Sequence, residues 1–472
     1  MLKRHWKAAL LVLLALLAAA AALWAVRTRG STAADAAQTE ADESDAAAYV
    51  MIYENDITQF KRLTVTVRGE EPYAVVSDMV YEDGELLGVH NALGQPVVLE
   101  GREDFHFQTY AWQMMALAAQ HLPATQELTG GAPADYGLDD PAFTLTVENG
   151  DGTAFTVAVG NLTPTGDSCY VAYEGRTYLV PSDLYATFAG GLNATHFLPT
   201  SLGFAAEDVT RLQIDTPDGE PLVILEKDDA ADALIPYEMV SPLCHEVNTE
   251  RLTAALEGVC EALPTAYAGT VGINGEAAAY GLDVPALRLT LVIGEQYLAQ
   301  IAVGGDAADG MAYVTVDQSG DVYLVSREKL DFVSRMTAEN LLEQYVSLVP
   351  VKTLAQAEVE AGGRRLTLSA VWGEDAAVAE TYAVNGEPVA REEFTALYQQ
   401  LIALMLDKVS PGLTVSGEPL MTAAFTRLDG TITTVRYFPY DEFYDAVEID
   451  GSADYLIRSY KVEQLIAALF AR

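Results

Sequence analysis

Six histidines, three cysteines and 68 acidic residues are the raw material for metal or acid–base chemistry in this 472-residue chain. Their spacing argues against most of it. His5, His90, His106, His121, His196 and His245 contain no HExxH pair, which would put two imidazoles on one helical face. Cys244-His245 with Cys260 offers three soft ligands, but Cys260 falls inside an expected helix that the other two precede. No fourth ligand for a tetrahedral zinc lies nearby. Ser326-Arg-Glu-Lys329 has the SxxK spacing in which a lysine activates a serine one turn away, yet the companion SDN and KTG motifs are absent. Ser326 is more simply an N-cap opening a short closing helix. Neither the GxSxG elbow nor the phosphate-binding GxxxxGK[ST] loop occurs.

Acidic clusters and aromatics remain. Asp306, Asp309, Asp317 and Asp321 form one group, and Asp441, Glu442, Asp445 and Asp450 another. Neither contains the D-x-[DN]-x-[DN]-G calcium loop. Tyr170, Tyr173, Tyr178, Tyr437, Tyr440, Tyr444 and Tyr455 are candidates to stack on sugars, but tyrosine is also a common strand residue. No residue is therefore assigned a catalytic, cofactor-binding or metal-binding role. The expectation is a non-enzymatic protein without a cofactor.

The formal net charge of −41 repels nucleic acid and anionic lipid, both of which need Lys and Arg to release counterions. Nucleic acid is excluded as a partner. Three cysteines cannot close a set of pairs, so Cys169, Cys244 and Cys260 are expected as buried free thiols.

The chain opens MLKRHWK, followed by an apolar run from Ala8 to Val26 and then RTRG. As a helix this run reaches about 28 Å, close to the hydrocarbon core of about 30 Å. An uncleaved transmembrane anchor is preferred to a cleaved signal peptide, whose apolar region is about 7–15 residues. Lys3, Arg4 and Lys7 outnumber Arg27 and Arg29, which favours the N-terminus inside and the bulk extracytoplasmic. The segment 30–48 is small and acidic and reads as a flexible linker.

Beyond it, one pattern is written three times. YGLDDP at Tyr136–Pro141 returns as YGLDVP at Tyr280–Pro285, and Gly160 follows the first at the interval at which Gly304 follows the second. A degenerate third copy has SGEPLM at Ser416–Met421, then Asp429-Gly430-Thr431 and Tyr455-Leu-Ile. Pro96, Pro242 and Pro388 are evenly spaced upstream landmarks. The copies are bounded at 49–200, 201–350 and 351–472. Each is read as strands, then one main helix (104–122, 248–263 or 391–408), then alternating strands. Phe143, Leu145 and Val147 face one way, and Asn149–Gly152 makes a hairpin turn. Asn248 is a helix N-cap, and Gly137 and Gly281 end a segment in the left-handed conformation. The expected class is α+β: three antiparallel sheets, each with one main helix, behind an N-terminal transmembrane helix.

The run YGLDDP…DGT…VG…YV…YLV, with the preceding helix and the N-terminal apolar run, resembles the bacterial domain-of-unknown-function family 4340. The resemblance is good over about 49–336 and weak over 351–472. It implies a single-pass, membrane-anchored extracytoplasmic protein associated with an ABC-2 type exporter related to the gliding-motility system. Expected partners are the membrane and the permease and ATPase subunits of such a transporter. The alternative is a module that binds a cell-envelope polymer or cargo without a transporter, and an envelope hydrolase is a remote third. The family carries no established catalytic residues.

Overall fold

Alternating apolar residues dominate the chain after Tyr49, and they build sheets. The structure, a computed structural model, describes residues 49–228, 230, 233–294, 297–373 and 381–471. Of these, 43% are strand and 22% helix. The expected α+β class is thereby corrected to a mostly β fold dominated by three large sheets. The reason is local. The expected helices run 104–122, 248–263 and 391–408, but helix occupies only Thr109–Gln120, Thr249–Glu261 and Arg391–Ile402. Residues read as helix ends instead make strands: His121–Ala124 pairs with Val50–Glu54, and Lys408–Val409 pairs with Ser452–Arg458. The anchor expected over Ala8–Val26 and the linker 30–48 lie outside the described residues. Among the described residues no helix is long and apolar enough to cross a membrane.

The chain divides into two compact units between Leu198 and Pro199. In the first, an eight-stranded antiparallel sheet runs Val97–Leu99, Tyr73–Ser77, Phe60–Val67, Phe143–Asn149, Ala154–Leu162, Ser168–Tyr173, Arg176–Pro181, Gln126–Leu128. Strands made before the helix step outward from Phe60–Val67. The helix then crosses over, the chain returns at the far edge with Gln126–Leu128, and Phe143–Asn149 drops back into the centre beside Phe60–Val67. The expected hairpin at Asn149–Gly152 joins Phe143–Asn149 to Ala154–Leu162.

The helix covers one face of this sheet. It buries Ala111, Met114, Met115, Ala118 and Ala119, the spacing of a single apolar stripe. Beneath lie Leu63, Val65, Leu145, Val147, Val157 and Val159, all fully buried. Each such side chain stabilises the fold by about 1.5–3 kcal/mol relative to exposure.

The second unit holds two nine-stranded sheets with the same strand order. One is centred on Val209–Asp215 beside Leu287–Ile293 and crossed by Thr249–Glu261. The other is centred on Leu354–Ala361 beside Met421–Arg427 and crossed by Arg391–Ile402. Their buried side chains form one continuous core. Backbone bonds join them, from Val346 N–H to Leu404 O at 2.9 Å and from Leu406 N–H to Gln344 O at 2.7 Å. Asn248 caps its helix as expected, its side chain accepting from Arg251 N–H at 3.1 Å. In the third helix Phe394, Leu397, Tyr398 and Leu401 are buried. Met405, placed on that stripe by periodicity, lies beyond the helix end and is exposed. Pro388 sits in the edge strand Glu387–Val389, where a missing N–H interrupts no interior ladder.

Truncating the first helix at its most buried point tests this packing. Met115→Ala is expected to cost about 2–5 kcal/mol in urea unfolding. Gln120→Ala, on the exposed side of the same helix, should stay within about 0.5 kcal/mol of the parent.

Candidate functional site

The most repeated residues meet at one place. The short 3-10 turns Pro133–Tyr136 and Ala277–Tyr280 end on Gly137 (φ 70°, ψ 21°) and Gly281 (φ 66°, ψ 25°). That left-handed conformation favours glycine. Leu138 N–H then reaches Pro133 O, and Leu282 N–H reaches Ala277 O, both at 2.9 Å. These bonds close the turn and point a leucine back over it.

The partner of each turn is a glycine in the sheet. A Cβ at Gly160 would lie 2.2 Å from Tyr136 O, and one at Gly304 would lie 2.3 Å from Tyr280 O. Neither space exists for any larger residue. Val303, next to Gly304, belongs to the core under the helix. Ala302 instead packs with Tyr280, Leu282 and Val322. Since successive strand residues point to opposite faces, the turn covers the face opposite the helix. Tyr280 meets Tyr313 edge-on at 5.2 Å, and Tyr136 meets Tyr170 at 4.6 Å. The third copy has neither the Tyr-Gly-Leu turn nor the glycine. Met421 pairs with Tyr437 as Phe143 pairs with Val159, so Phe438 stands where Gly160 does. Phe438 packs with Ala446, Leu456, Leu413 and Val415, filling the space with side chain instead of backbone.

The residues with chemical potential are dispersed in structural tasks. His245 is buried. Its Nε2 lies 3.0 Å from Glu343 O, its ring centre 5.0 Å from that of Tyr455, and burial depresses its pKa. A carbonyl only accepts, so Nε2 donates and is not presented to a metal. The expectation of three buried thiols is corrected. Cys169 is buried, with its pKa pushed up to about 12 by desolvation, Cys260 is half-buried, and Cys244 is exposed because it sits in the loop before the helix rather than under it. All three are free. His106 stacks on Phe197 at 4.5 Å, His196 is buried with Nδ1 2.8 Å from Phe197 O, and His90 faces Asp78 at 3.7 Å. His121 lies in the edge strand His121–Ala124, and burial depresses its pKa. His5 lies outside the described residues. Ser326 precedes a 3-10 turn, Arg327–Leu330, and makes no side-chain capping bond, so the expected N-cap bond is not formed. Among the described residues no group of three His, Cys, Asp or Glu side chains is placed to hold a metal ion.

The acidic clusters shape turns. Asp317 accepts from Ser319 N–H at 2.9 Å, Asp441 from Phe443 and Tyr444 N–H at 2.8 Å, and Asp450 from Thr434 N–H at 2.7 Å. Asp321 accepts from Thr270 Oγ1 at 2.7 Å, and Asp306 pairs with Arg327. Of the tyrosines, Tyr178, Tyr437 and Tyr455 are buried, and Tyr440 is exposed. Among the described residues three carboxylates are buried, Glu343, Asp445 and Asp454, and only Asp445 belongs to an acidic cluster legible in the sequence. Glu343 accepts from Asn248 Nδ2 at 3.0 Å and from Gln344 N–H at 2.8 Å. Asp445 accepts from Ser459 Oγ at 2.9 Å through one oxygen, while its other oxygen is buried without a hydrogen-bond partner. Desolvation, with Glu463 and Asp441 nearby, raises the Asp445 pKa against the lowering pull of Ser459. Nothing in the local sequence separates these buried acids from the exposed ones.

What fold and side chains define together is a β-rich protein built from a repeated sheet, with its most constrained residues serving backbone packing. A family profile described as "Domain of unknown function (DUF4340)" matches residues 104–272. Over this span, which includes Tyr136–Pro141, the resemblance drawn from the YGLDDP pattern holds. No curated protein and no solved structure matches the chain.

Two substitutions test these assignments. Gly304→Ala should destabilise by about 1–3 kcal/mol in thermal unfolding, because backbone must shift to admit the methyl group. Gly150→Ala, whose Cβ would meet nothing closer than 3.7 Å, is the tolerated control. Asp445 gives a pH signature. Its folded pKa lies above its unfolded value of about 3.9, so its protonated form favours the fold and stability is lost as pH rises between the two. The melting temperature of Asp445→Asn relative to the parent should accordingly climb from about pH 4 towards 7. A difference that stays flat or falls over that range would remove the assignment.

Proposed function

We propose that the protein is a non-catalytic accessory or binding subunit of an ABC-2 type export complex. It is held at the cell membrane through its N-terminal apolar segment, with the repeated sheets outside the cell. The observation that supports this reading is the threefold recurrence of one sheet order while the histidines, serines and acids with chemical potential are spread over separate turns and cores. Such an arrangement offers extended faces and edges for contact, and among the described residues those side chains are not gathered around one point. The link to an exporter rests on the family resemblance, and the membrane placement on the run from Ala8 to Val26.

Crosslinking in intact cells, followed by purification and identification of every bound protein, is the test. A permease and an ATPase should be recovered reproducibly. Recovery of the protein alone, or with cell-wall fragments only, would replace this reading with envelope binding.

A further inference from the structure

In a chain of net charge −41, three cations gathered at one cleft stand out. A cleft of about 450 Å³ in the second unit is lined by Lys227, Lys352 and Arg427 together with Leu234, Leu348 and Leu428. It lies where loops of the unit's two sheets meet. Lys227 and Leu234 belong to the connection between Leu222–Glu226 and Tyr237–Ser241, Lys352 to the turn Val351–Thr353, and Arg427 and Leu428 to the hairpin before Ile432–Pro439.

The carboxylates along this cleft are already engaged. Glu246 holds Lys227 Nζ at 2.9 Å. Asp429 accepts from Thr431 N–H at 2.8 Å and Thr431 Oγ1 at 2.7 Å, which closes its own hairpin turn and lowers its pKa. Arg427 donates hydrogen bonds to hydroxyls, Thr433 Oγ1 at 2.9 Å and Thr431 Oγ1 at 3.5 Å, and its charge also helps to lower the Asp429 pKa. Among the described residues neither Arg427 nor Lys352 forms a salt bridge. The positions are held by the backbone, since Leu428 N–H donates to Thr353 O at 2.8 Å and so ties the Arg427 hairpin to the Lys352 turn.

Beside these cations the surface is apolar. Leu234 is 61% exposed and Leu428 55%, while Leu348 and Pro350 complete the wall. The lining is about half apolar and half polar or charged, and the volume falls in the range of about 300–1,000 Å³ usual for small-ligand pockets. Guanidinium and ammonium groups select phosphate or carboxylate oxygens.

We propose that this cleft binds an amphiphile with a phosphate or carboxylate head, held by Arg427 and Lys352, and a short apolar tail laid against Leu234, Leu348 and Leu428. The proposal stands apart from the export reading and survives its failure.

Calorimetric titration of the full chain with hexyl phosphate tests it, alongside inorganic phosphate and the uncharged hexyl glucoside. Hexyl phosphate should bind saturably at one site, with inorganic phosphate weaker by about tenfold or more and hexyl glucoside not bound. Lys352→Glu, at an exposed position, and Arg427→Gln should each weaken hexyl phosphate by about tenfold, the scale of one charge-assisted hydrogen bond. Competition by phosphatidic acid vesicles would trace the head group to a lipid, and its absence would trace it to a soluble ester. No saturable binding of hexyl phosphate, binding unchanged in both variants, or inorganic phosphate binding equally well would each overturn the proposal.

Discussion

Everything in each sheet depends on one antiparallel pair at its centre. Leu63 faces Val147, Leu212 faces Leu291 and Ala357 faces Phe425. These pairs join strands made before the crossover helix to strands made after it. Without them each sheet falls into two narrow meanders, each with an apolar face and an unpaired edge, and small isolated sheets are marginal in water. The helix depends on the same pair. The stripe from Ala111 to Ala119 packs against Phe60–Val67 and has an apolar surface to cover only once the sheet is complete.

The opposite face obeys a constraint of shape. The Tyr-Gly-Leu turn can lie flat only where the strand beneath has no Cβ, so Gly137 with Gly160, and Gly281 with Gly304, act as two halves of one contact. The third copy shows the coupling by losing both halves together. Once Phe438 fills the strand position, Leu413 and Val415 cover it with side chains. What recurs most visibly is thus a requirement for backbone to touch backbone, and the tyrosines around it serve packing.

Much of this was legible in the sequence because it is local. Residue alternation marked Phe143, Leu145 and Val147 as one buried face, Asn-Gly-Asp-Gly marked the hairpin, and Asn248 marked a helix start. The fold class was misread because helix ends were extended through residues such as His121 and Leu122, whose pairing partner at Val50–Glu54 lies far away in the chain. Sheet width is likewise non-local, since edge strands of two or three residues such as Lys408–Val409 carry almost no periodic signal. The same holds for charge. Arg427 and Lys352 are brought to one cleft by loops of two different sheets, a juxtaposition that no local pattern marks, and Asp445 differs from Asp441 only in the side chains stacked around it.

The central pairing also governs the order in which the chain can take shape. A polypeptide leaving a ribosome or a translocation channel N-terminus first exposes Phe60–Val67 long before Phe143–Asn149 exists. Leu63 and Val65 therefore wait through the whole crossover with their apolar side in water. The wait recurs for Leu212 and again for Ala357, so maturation advances in three delayed closures. Each interval leaves a half-built sheet open to a holdase, or to mispairing with the equivalent strand of another copy. A repeated architecture of this kind is most vulnerable while it is being made, and least so once its last central strand has arrived.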